Sequence, residues 1–249
     1  MKTRFRWKEI YATNLRLGLG RIIKGIDYSR IIEYSLAFSQ LEFQKKDLIL
    51  DVGSSDSVFP IFLASLGNKV QALDIDHKAL KLIQFAGKLG MSNLAVTIHD
   101  VTKLPYPDNH FDIITAISVI EHVLPVRDGD IDAVKEISRT LKVGGHTIIT
   151  VPYGDVYEVM WSRSRMTGHF SLLRKYDRNA IYERLVKPSG LLLENQAFFG
   201  ESIGFSEIWY NSPFSLLAFP APIFTKLFMR VGETETPEGL CLKLRKCDS

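Results

Sequence analysis

The sequence predicts a three-layer α/β fold with a mostly parallel sheet, and two observations support this prediction. Short apolar runs alternate with amphipathic stretches between residues 48 and 151, and glycine, proline or acidic residues separate them. Strands that alternate with helices form a parallel sheet that helices cover on both faces. Right-handed crossovers then bring the carboxyl ends of the strands to one edge, where such sheets bind ligands.

Seven segments have the composition of strands. Residues 48–52 are the clearest example, since a short apolar run there stops directly before Gly53. The alternation loosens after Pro152, and two further strands are predicted beyond it. The predicted strands cover residues 48–52, 69–74, 94–99, 111–118, 146–151, 191–199 and 240–245.

Five segments have the pattern of helices. Pro60 and Asp76 stand where a proline or a capping carboxylate begins a helix. Gly67 and Gly90 stand where helices end. Apolar residues also recur every three or four positions in the first helix, where they form one face. These apolar residues are Ile31, Tyr34, Phe38 and Leu41. The predicted helices cover residues 29–41, 60–66, 76–89, 131–141 and 178–185.

Composition and charge limit the class of protein. The chain is 46% hydrophobic and 24% charged, as in globular proteins, and its net charge of +3 does not by itself indicate a nucleic-acid partner. Residues 1–30 hold eight basic and two acidic side chains. This basic arm is either an ordinary solvated helix face or a peripheral contact with an anionic surface. We expect residues 1–44 to form a helical segment and residues 45–249 one domain, with residues 153–235 as a lid-like insertion.

Cysteine usage and hydropathy suggest a cytoplasmic protein. Cys241 and Cys247 form neither a metal-ligand spacing nor a disulfide framework, as expected for a reducing compartment. No stretch reaches the ~18 apolar residues that a membrane span requires. The first 30 residues also lack the apolar core of a signal peptide.

Polar residues and a glycine follow the first three strands, at the predicted ligand edge. Gly53 lets a backbone approach a ligand closely, while Asp51 either binds a ligand ammonium or orients the loop. Asp74 ends the second strand, where a carboxylate can accept hydrogen bonds from both hydroxyls of an adenosine ribose. The alternative is that Asp74 caps the next helix, although Asp76 is better placed for capping. Asp100 follows the third strand, where it can accept a hydrogen bond from an adenine amino group.

These segments resemble the class I S-adenosylmethionine (SAM)-dependent methyltransferases, in particular the ubiquinone and small-molecule group, over about residues 45–152. Asp51–Ser55 is similar to the family's glycine motif, and Leu141–Gly145 to its Leu-Lys-Pro-Gly-Gly turn. Leu104–Asp108 with Phe111–Asp112 is similar to its Leu-Pro-Phe…Phe-Asp stretch. The resemblance implies a Rossmann-like seven-stranded sheet with an antiparallel last strand, and SAM as cofactor. The implied cofactor-binding residues are Asp51, Gly53, Ser54, Ser55, Asp74, Ile75, Asp100, Val101 and Ser118.

Three residues are candidate general bases for methyl transfer, namely Glu121, His122 and His169. Glu121 and His122 follow the fourth strand, beside the expected position of the methyl group. The alternative is that both belong to a helical turn with structural hydrogen bonds only. Some relatives hold a metal with Glu-x-x-Glu-His here, but Ser118 replaces the first carboxylate, so no metal is expected.

The acceptor is expected to be a small molecule, a lipid-like molecule or a glycan, since aromatic residues are dense after the fifth strand. Arg163, Arg165 and Arg174 would bind an acidic acceptor, or they form an ordinary solvated face.

Two alternative functions remain. In the first, the loop binds SAM less well, because Ser55 and Ser57 replace the usual glycines, and the protein binds SAM with little activity. A serine at position 55 is compatible with normal SAM binding if its φ is negative or its hydroxyl binds the ligand. In the second, the basic arm binds RNA, and the enzyme methylates RNA.

Overall fold

The computed structural model describes residues 7–18, 28–42, 46–163, 170–201, 229–231 and 237–248. In chain order the strands are β1 (Leu48–Val52), β2 (Lys69–Asp74), β3 (Leu94–Ile98), β4 (Phe111–Ile117), β5 (Leu141–Pro152), β6 (Glu158–Arg163), β7 (Phe170–Lys175), β8 (Leu192–Glu201), β9 (Met229–Val231) and β10 (Gly239–Arg245). The helices are α1 (Trp7–Arg16), α2 (Tyr28–Gln40), α3 (Phe59–Ser65), α4 (Lys81–Lys88) and α5 (Gly129–Thr140). A sixth helical segment, α6, runs through Arg178–Ala180, a π-helical Ile181–Val186 and Lys187–Ser189.

The central sheet has the strand order β3-β2-β1-β4-β5-β10-β8-β9. Its first five strands are parallel, and β10 is antiparallel to both β5 and β8. This confirms the Rossmann-like α/β prediction, since all seven predicted strands are present and the last, β10, is antiparallel; β9 adds a short eighth strand at the edge. The strand order reverses between β1 and β4, and a crevice at such a point binds ligands.

Helices cover the two faces of this sheet because neighbouring residues of a strand point to opposite faces. Ile49 of β1 packs with the apolar face of α1, α2 and α3, whereas Leu50 packs with α5 and α6. Tyr34 of α2 stacks on Phe59 of α3, with ring centroids 4.8 Å apart. The predicted apolar face of α2 is therefore confirmed, and the two amino-terminal helices share a core with the sheet.

The structure differs from the predicted elements in two places. β5 begins at Leu141 rather than at residue 146, because the Gly144–Gly145 turn lies within the extended segment and Leu141 already pairs with Phe111. A hairpin, β6–β7, was not predicted. Within the range 153–235 assigned to a lid, β8 is an inner strand of the sheet, so that part belongs to the core. The lid assignment of the remainder stays a prediction, and residues 202–228 lie outside the described residues.

The basic amino-terminal arm also lies mostly outside the described residues, which include only Lys8, Arg16 and Arg30 of its eight basic residues. Contact of this arm with an anionic surface stays a prediction. In the described part of the chain, no helix is long and apolar enough to cross a membrane.

Candidate active site

A cavity of about 340 Å³ opens at the carboxyl edge of the sheet, at the point where the strand order reverses. It brings together six of the nine predicted cofactor residues and one of the three candidate bases. Its lining residues are Val52, Gly53, Leu73, Asp74, Ile75, His99, Asp100, Val101, Ser118, Val119, His122, Val123 and Leu124. The sequence reasoning missed five apolar members, because nothing in the sequence distinguishes them from core residues. They are Val52, Leu73, Val119, Val123 and Leu124.

Gly53 forms the floor of the cavity in a conformation that suits only glycine. Its φ is +68°, and a Cβ at this position would lie 2.2 Å from a methyl carbon of Val119. The amide groups of Gly53 and Ser54 both donate to the carbonyl of Leu73, at 2.7 and 3.2 Å. These hydrogen bonds hold the loop after β1 over the end of β2. Because Gly53 has no side chain, the main chain of the loop is exposed to the cavity.

Asp51 and Ser54 lie beneath the loop rather than in the cavity. Asp51 is 3% exposed and accepts hydrogen bonds from the hydroxyls of Thr115 (2.6 Å) and Ser54 (2.7 Å). Burial raises the pKa of Asp51 to about 6. Of the two roles left open for Asp51, these contacts favour orienting the loop.

Ser55 adopts a left-handed conformation that glycine adopts more readily than serine. Its φ is +45°, so the negative φ that would make a serine tolerable here is absent. Its amide donates to Oδ2 of Asp74 at 2.7 Å, which ties the loop to the end of β2. A left-handed serine is strained relative to glycine, so the loop adopts this shape at some cost in stability.

Asp74 lines the cavity with both carboxylate oxygens already in use. Oδ2 accepts from the amide of Ser55, and Oδ1 accepts from the amide of Asp76 at 2.7 Å. Asp76 caps the following helical turn, as expected, by accepting from the amide of Lys78. Each oxygen of a carboxylate accepts two hydrogen bonds, so Asp74 keeps acceptor capacity toward the cavity.

Asp100 and Ile75 form the far wall. Asp100 accepts from the amide of Thr102 at 2.9 Å, and this cap begins the 3-10 turn that follows β3. Ile75 is 71% exposed, which is unusual for a large apolar side chain at a strand end. A carboxylate beside an open apolar surface suits a flat heteroaromatic ring with an exocyclic amino group.

His122 lies at the other end of the cavity, next to β7. Its Nδ1 is 2.5 Å from the carbonyl oxygen of Leu172, so Nδ1 carries the proton and donates. Nε2 then keeps its lone pair, as a general base requires. Burial is the main reason why the pKa of His122 is lowered.

Glu121 and His169, the other two candidate bases, are placed differently. Glu121 is 1% exposed and does not line the cavity, and its Oε2 has no hydrogen-bond partner among the described residues. Burial raises the pKa of Glu121 to about 8, so this carboxyl group is mostly protonated at neutral pH. His169 lies outside the described residues. His122 is therefore the candidate base that the geometry favours.

Two charged residues of α2 contact the end of β4 beside this part of the cavity, and the sequence reasoning missed both. Glu33 is 5% exposed and accepts a hydrogen bond from the hydroxyl of Ser118 at 2.5 Å. Arg30 pairs with Glu33 at 2.9 Å and donates to the carbonyl of Ile117 at 3.1 Å. In the sequence, a charged residue stands next to the apolar face of a helix. That position alone does not predict whether its side chain is buried.

Arg174, one of the three arginines expected to bind an acceptor, is fully buried. It donates to main-chain carbonyls of the segment after β4 and therefore cannot face an acceptor. The side chain of Arg163 and the whole of Arg165 lie outside the described residues. The part of the acceptor prediction that rested on Arg174 is wrong, because its charge is used inside the fold.

Comparison with known proteins agrees with this geometry. Residues 50–149 match the family model described as a methyltransferase domain. This match covers about two fifths of the chain, and it identifies residues 50–149 as having the sequence of a methyltransferase domain. SAM is the cofactor of such a domain. The glycine floor, Asp74 and Asp100 would offer an adenosine a close backbone approach and hydrogen-bond acceptors.

Curated relatives match over part of their length. Bacillus subtilis YcgJ, named an uncharacterised methyltransferase, is 24% identical over 143 residues, which are 57% of this chain and 54% of YcgJ. A Schizosaccharomyces pombe protein with the same description is 29% identical over 112 residues, 41% of this chain and 39% of that protein. The chain thus spans roughly two fifths to one half of these relatives.

Solved structures share the fold at low identity. The YcgJ structure is 15% identical and has a TM-score of 0.55, with 88% of this chain and all of that one covered. The Burkholderia thailandensis 1,6-didemethyltoxoflavin-N1-methyltransferase is 16% identical with a TM-score of 0.57, covering 87% of this chain and 77% of that one. The [4+2]-cyclase SpnF is 16% identical with a TM-score of 0.61, covering 91% and 84%. These similarities show the fold alone.

We expect Asp74→Ala to weaken SAM binding at least tenfold, because hydrogen bonds to a charged acceptor contribute ~1.5–3 kcal/mol each. Isothermal titration calorimetry on the folded variant measures this change. Asp76→Ala is the matched control, since it removes an exposed carboxylate from the same turn that does not line the cavity. Unchanged affinity in Asp74→Ala would exclude the ribose assignment.

We expect Ser55→Gly to bind SAM at least as tightly as the parent and to be as stable or up to ~1 kcal/mol more stable, because glycine adopts a φ of +45° without strain. Ser55→Val should be clearly destabilised, since a β-branched residue tolerates this φ worst. Urea unfolding and calorimetry check both variants. A large loss of affinity in Ser55→Gly would instead show that the serine hydroxyl contacts the ligand.

We expect Glu121→Gln to gain stability relative to the parent as the pH rises. The unfolded chain ionises near pH 4.5, whereas the folded pKa is about 8, so the parent loses stability across this interval. The amide cannot ionise, so the difference between the two proteins should exceed ~1.4 kcal/mol at pH 8 relative to pH 5. Urea unfolding at both pH values tests this, with the exposed Glu158→Gln as control; parallel pH profiles would contradict it.

Proposed function

We propose that this protein is a SAM-dependent methyltransferase whose acceptor is a small molecule or a lipid-like molecule. One observation carries the proposal. A single cavity at the switch point of the sheet has adenosine-binding groups at one end and an oriented histidine at the other. SAM supplies a methyl group that is already activated on a sulfonium, so the protein must chiefly position the acceptor and exclude water.

The chain's own residues divide the binding task along the cavity. Asp74 would accept the ribose hydroxyls, while Asp100 and Ile75 would hold the adenine ring by a hydrogen bond and apolar contact. The backbone around Gly53 would run beside the methionine part. Arg30 lies at the end of β4 with 31% of its side chain exposed, where it would attract the methionine carboxylate.

His122 would take the proton of the acceptor. As the acceptor atom bonds to the methyl carbon, the carbon–sulfur bond breaks and its electron pair stays on sulfur. The acceptor proton passes to Nε2, which is available because Nδ1 is held by Leu172. A histidine whose pKa lies below its usual value is neutral at physiological pH and ready for this role.

An apolar acceptor fits the surroundings of His122. Val123 and Leu124 line this end of the cavity, and Leu124 is 54% exposed. Trp161 of β6 is 58% exposed and is the cross-strand partner of Leu172, whose carbonyl holds His122. Exposed apolar side chains around a base favour an acceptor with an apolar body over an RNA phosphate backbone.

His122→Gln should bind SAM with unchanged affinity and transfer methyl groups at least 100-fold more slowly, as expected for loss of a general base. Methyl-labelled SAM with small-molecule, lipid and RNA fractions measures transfer, and calorimetry measures binding. His77→Gln is the control, because His77 is exposed and does not line the cavity.

The outcomes separate the alternatives. Label in RNA alone would overturn the acceptor class, and binding without any transfer would favour a SAM-binding protein of another activity. The second outcome matters because a structural neighbour is a cyclase, so fold alone does not determine methyl transfer.

A further inference from the structure

Strand β7 contacts the segment after β4 (residues 119–126, hereafter the base loop) through two residues at alternate positions, Leu172 and Arg174. We propose that β7 positions His122: the carbonyl of Leu172 selects its tautomer, and Arg174 holds the base loop that carries it. This rests on the proposed function, in which His122 is the base. Arg174 is thus a positioning residue that acts through His122 without touching a substrate.

Arg174 binds the base loop through four main-chain carbonyls. Its Nη1 donates to Glu121 (3.3 Å) and Val123 (2.8 Å), and its Nη2 donates to Pro125 and Val126, both at 2.9 Å. The loop has little regular structure. The carbonyl of Pro125 also accepts from the amide of Gly129 at 2.9 Å, whereas no main-chain donor outside the regular elements reaches the other three in the described part of the chain. A planar guanidinium with five donors satisfies such a set, which the single ammonium of a lysine cannot.

Asp130 of α5 balances the charge of Arg174. Both side chains are fully buried, and Oδ1 of Asp130 lies 3.6 Å from Nε of Arg174. Arg184 of α6 donates to both carboxylate oxygens, at 2.7 and 2.8 Å, and the hydroxyl of Tyr176 donates to Oδ2 at 3.0 Å. The base loop is therefore joined to β7, α5 and α6 through one buried polar network.

The second contact determines which ring nitrogen of His122 is basic. A carbonyl oxygen only accepts, so Nδ1 must carry the proton, and Nε2 is left with a lone pair. The charged and titratable groups around the ring are Arg30 and Glu33 of α2, Arg174 of β7 and Glu121 beside it, whose Oε1 is 3.7 Å from Nε2. Loss of Arg174 frees the loop, and the ring then has no single orientation toward Leu172.

The test reads the tautomer of His122 by NMR of histidine labelled with ¹⁵N and ¹³C, in the full chain without ligand. Comparison with His122→Gln assigns its signals. The wild-type protein should show a single Nδ1–H tautomer that titrates below pH 6.5. Arg174→Met should show a mixture of both tautomers, and its rate of methyl transfer from labelled SAM to the fraction that accepts label from the wild type should fall at least tenfold.

Arg184→Met is the matched control. It also removes an ion pair to Asp130, but the other hydrogen bond of Arg184 within the described network goes to the carbonyl of Arg127, beyond the base loop. We expect its His122 signals to match the wild type. Equal changes in Arg174→Met and Arg184→Met would overturn the positioning role, because general loosening of the network would then explain both.

Two measurements on the wild-type protein complete the test. If Arg174→Met fails to fold, the wild-type spectrum alone decides: an Nε2–H tautomer of His122 overturns the proposal, and an Nδ1–H tautomer supports it. Calorimetry with SAM is run on the same wild-type sample. Absence of SAM binding would refute the proposed function, whereas the wrong tautomer with normal SAM binding would refute only the positioning role.

Discussion

The site depends on the close packing of Gly53 against Val119 at the carboxyl ends of β1 and β4. These strands are neighbours, yet the chain leaves them toward opposite sides of the sheet, so a crevice opens between the two loops. The glycine loop can lie this close to Val119 only because no Cβ stands between them. Because of this contact, main-chain atoms of the glycine loop form the floor of the cavity. Val119 and His122, which follow β4, then line its wall.

Buried polar networks support the two loops from below. Under the glycine loop, Asp51 joins Thr115 of β4 to Ser54, so the loop cannot shift without breaking hydrogen bonds in the core. Under the base loop, the buried pair of Arg174 and Asp130 has the same role. Buried charges are costly unless they are paired and hydrogen-bonded, and at both loops the buried polar groups bind atoms of the loop or of the strand beside it.

Much of the fold and half of the site followed from the sequence because these features are local. Each parallel strand is a short apolar run, and strand ends share one edge, so the position of Asp74 and Asp100 at that edge was predictable, whereas their binding roles stay predictions. Contacts between distant segments were not predictable. Arg174 lies in a basic segment typical of a surface, yet it binds carbonyls some 50 residues away. The β6–β7 hairpin was missed because its apolar residues, such as Trp161, remain exposed and give no clear alternation.

The central claim is that one cavity holds the cofactor with its reacting end toward His122. A crystal structure with S-adenosylhomocysteine, the demethylated product of SAM, tests this most directly. The account predicts ribose hydroxyls within hydrogen-bond distance of Asp74, adenine beside Ile75 and Asp100, and the sulfur on the side of Nε2 of His122. A ligand bound elsewhere, or bound in the cavity with its sulfur pointing away from His122, would contradict it.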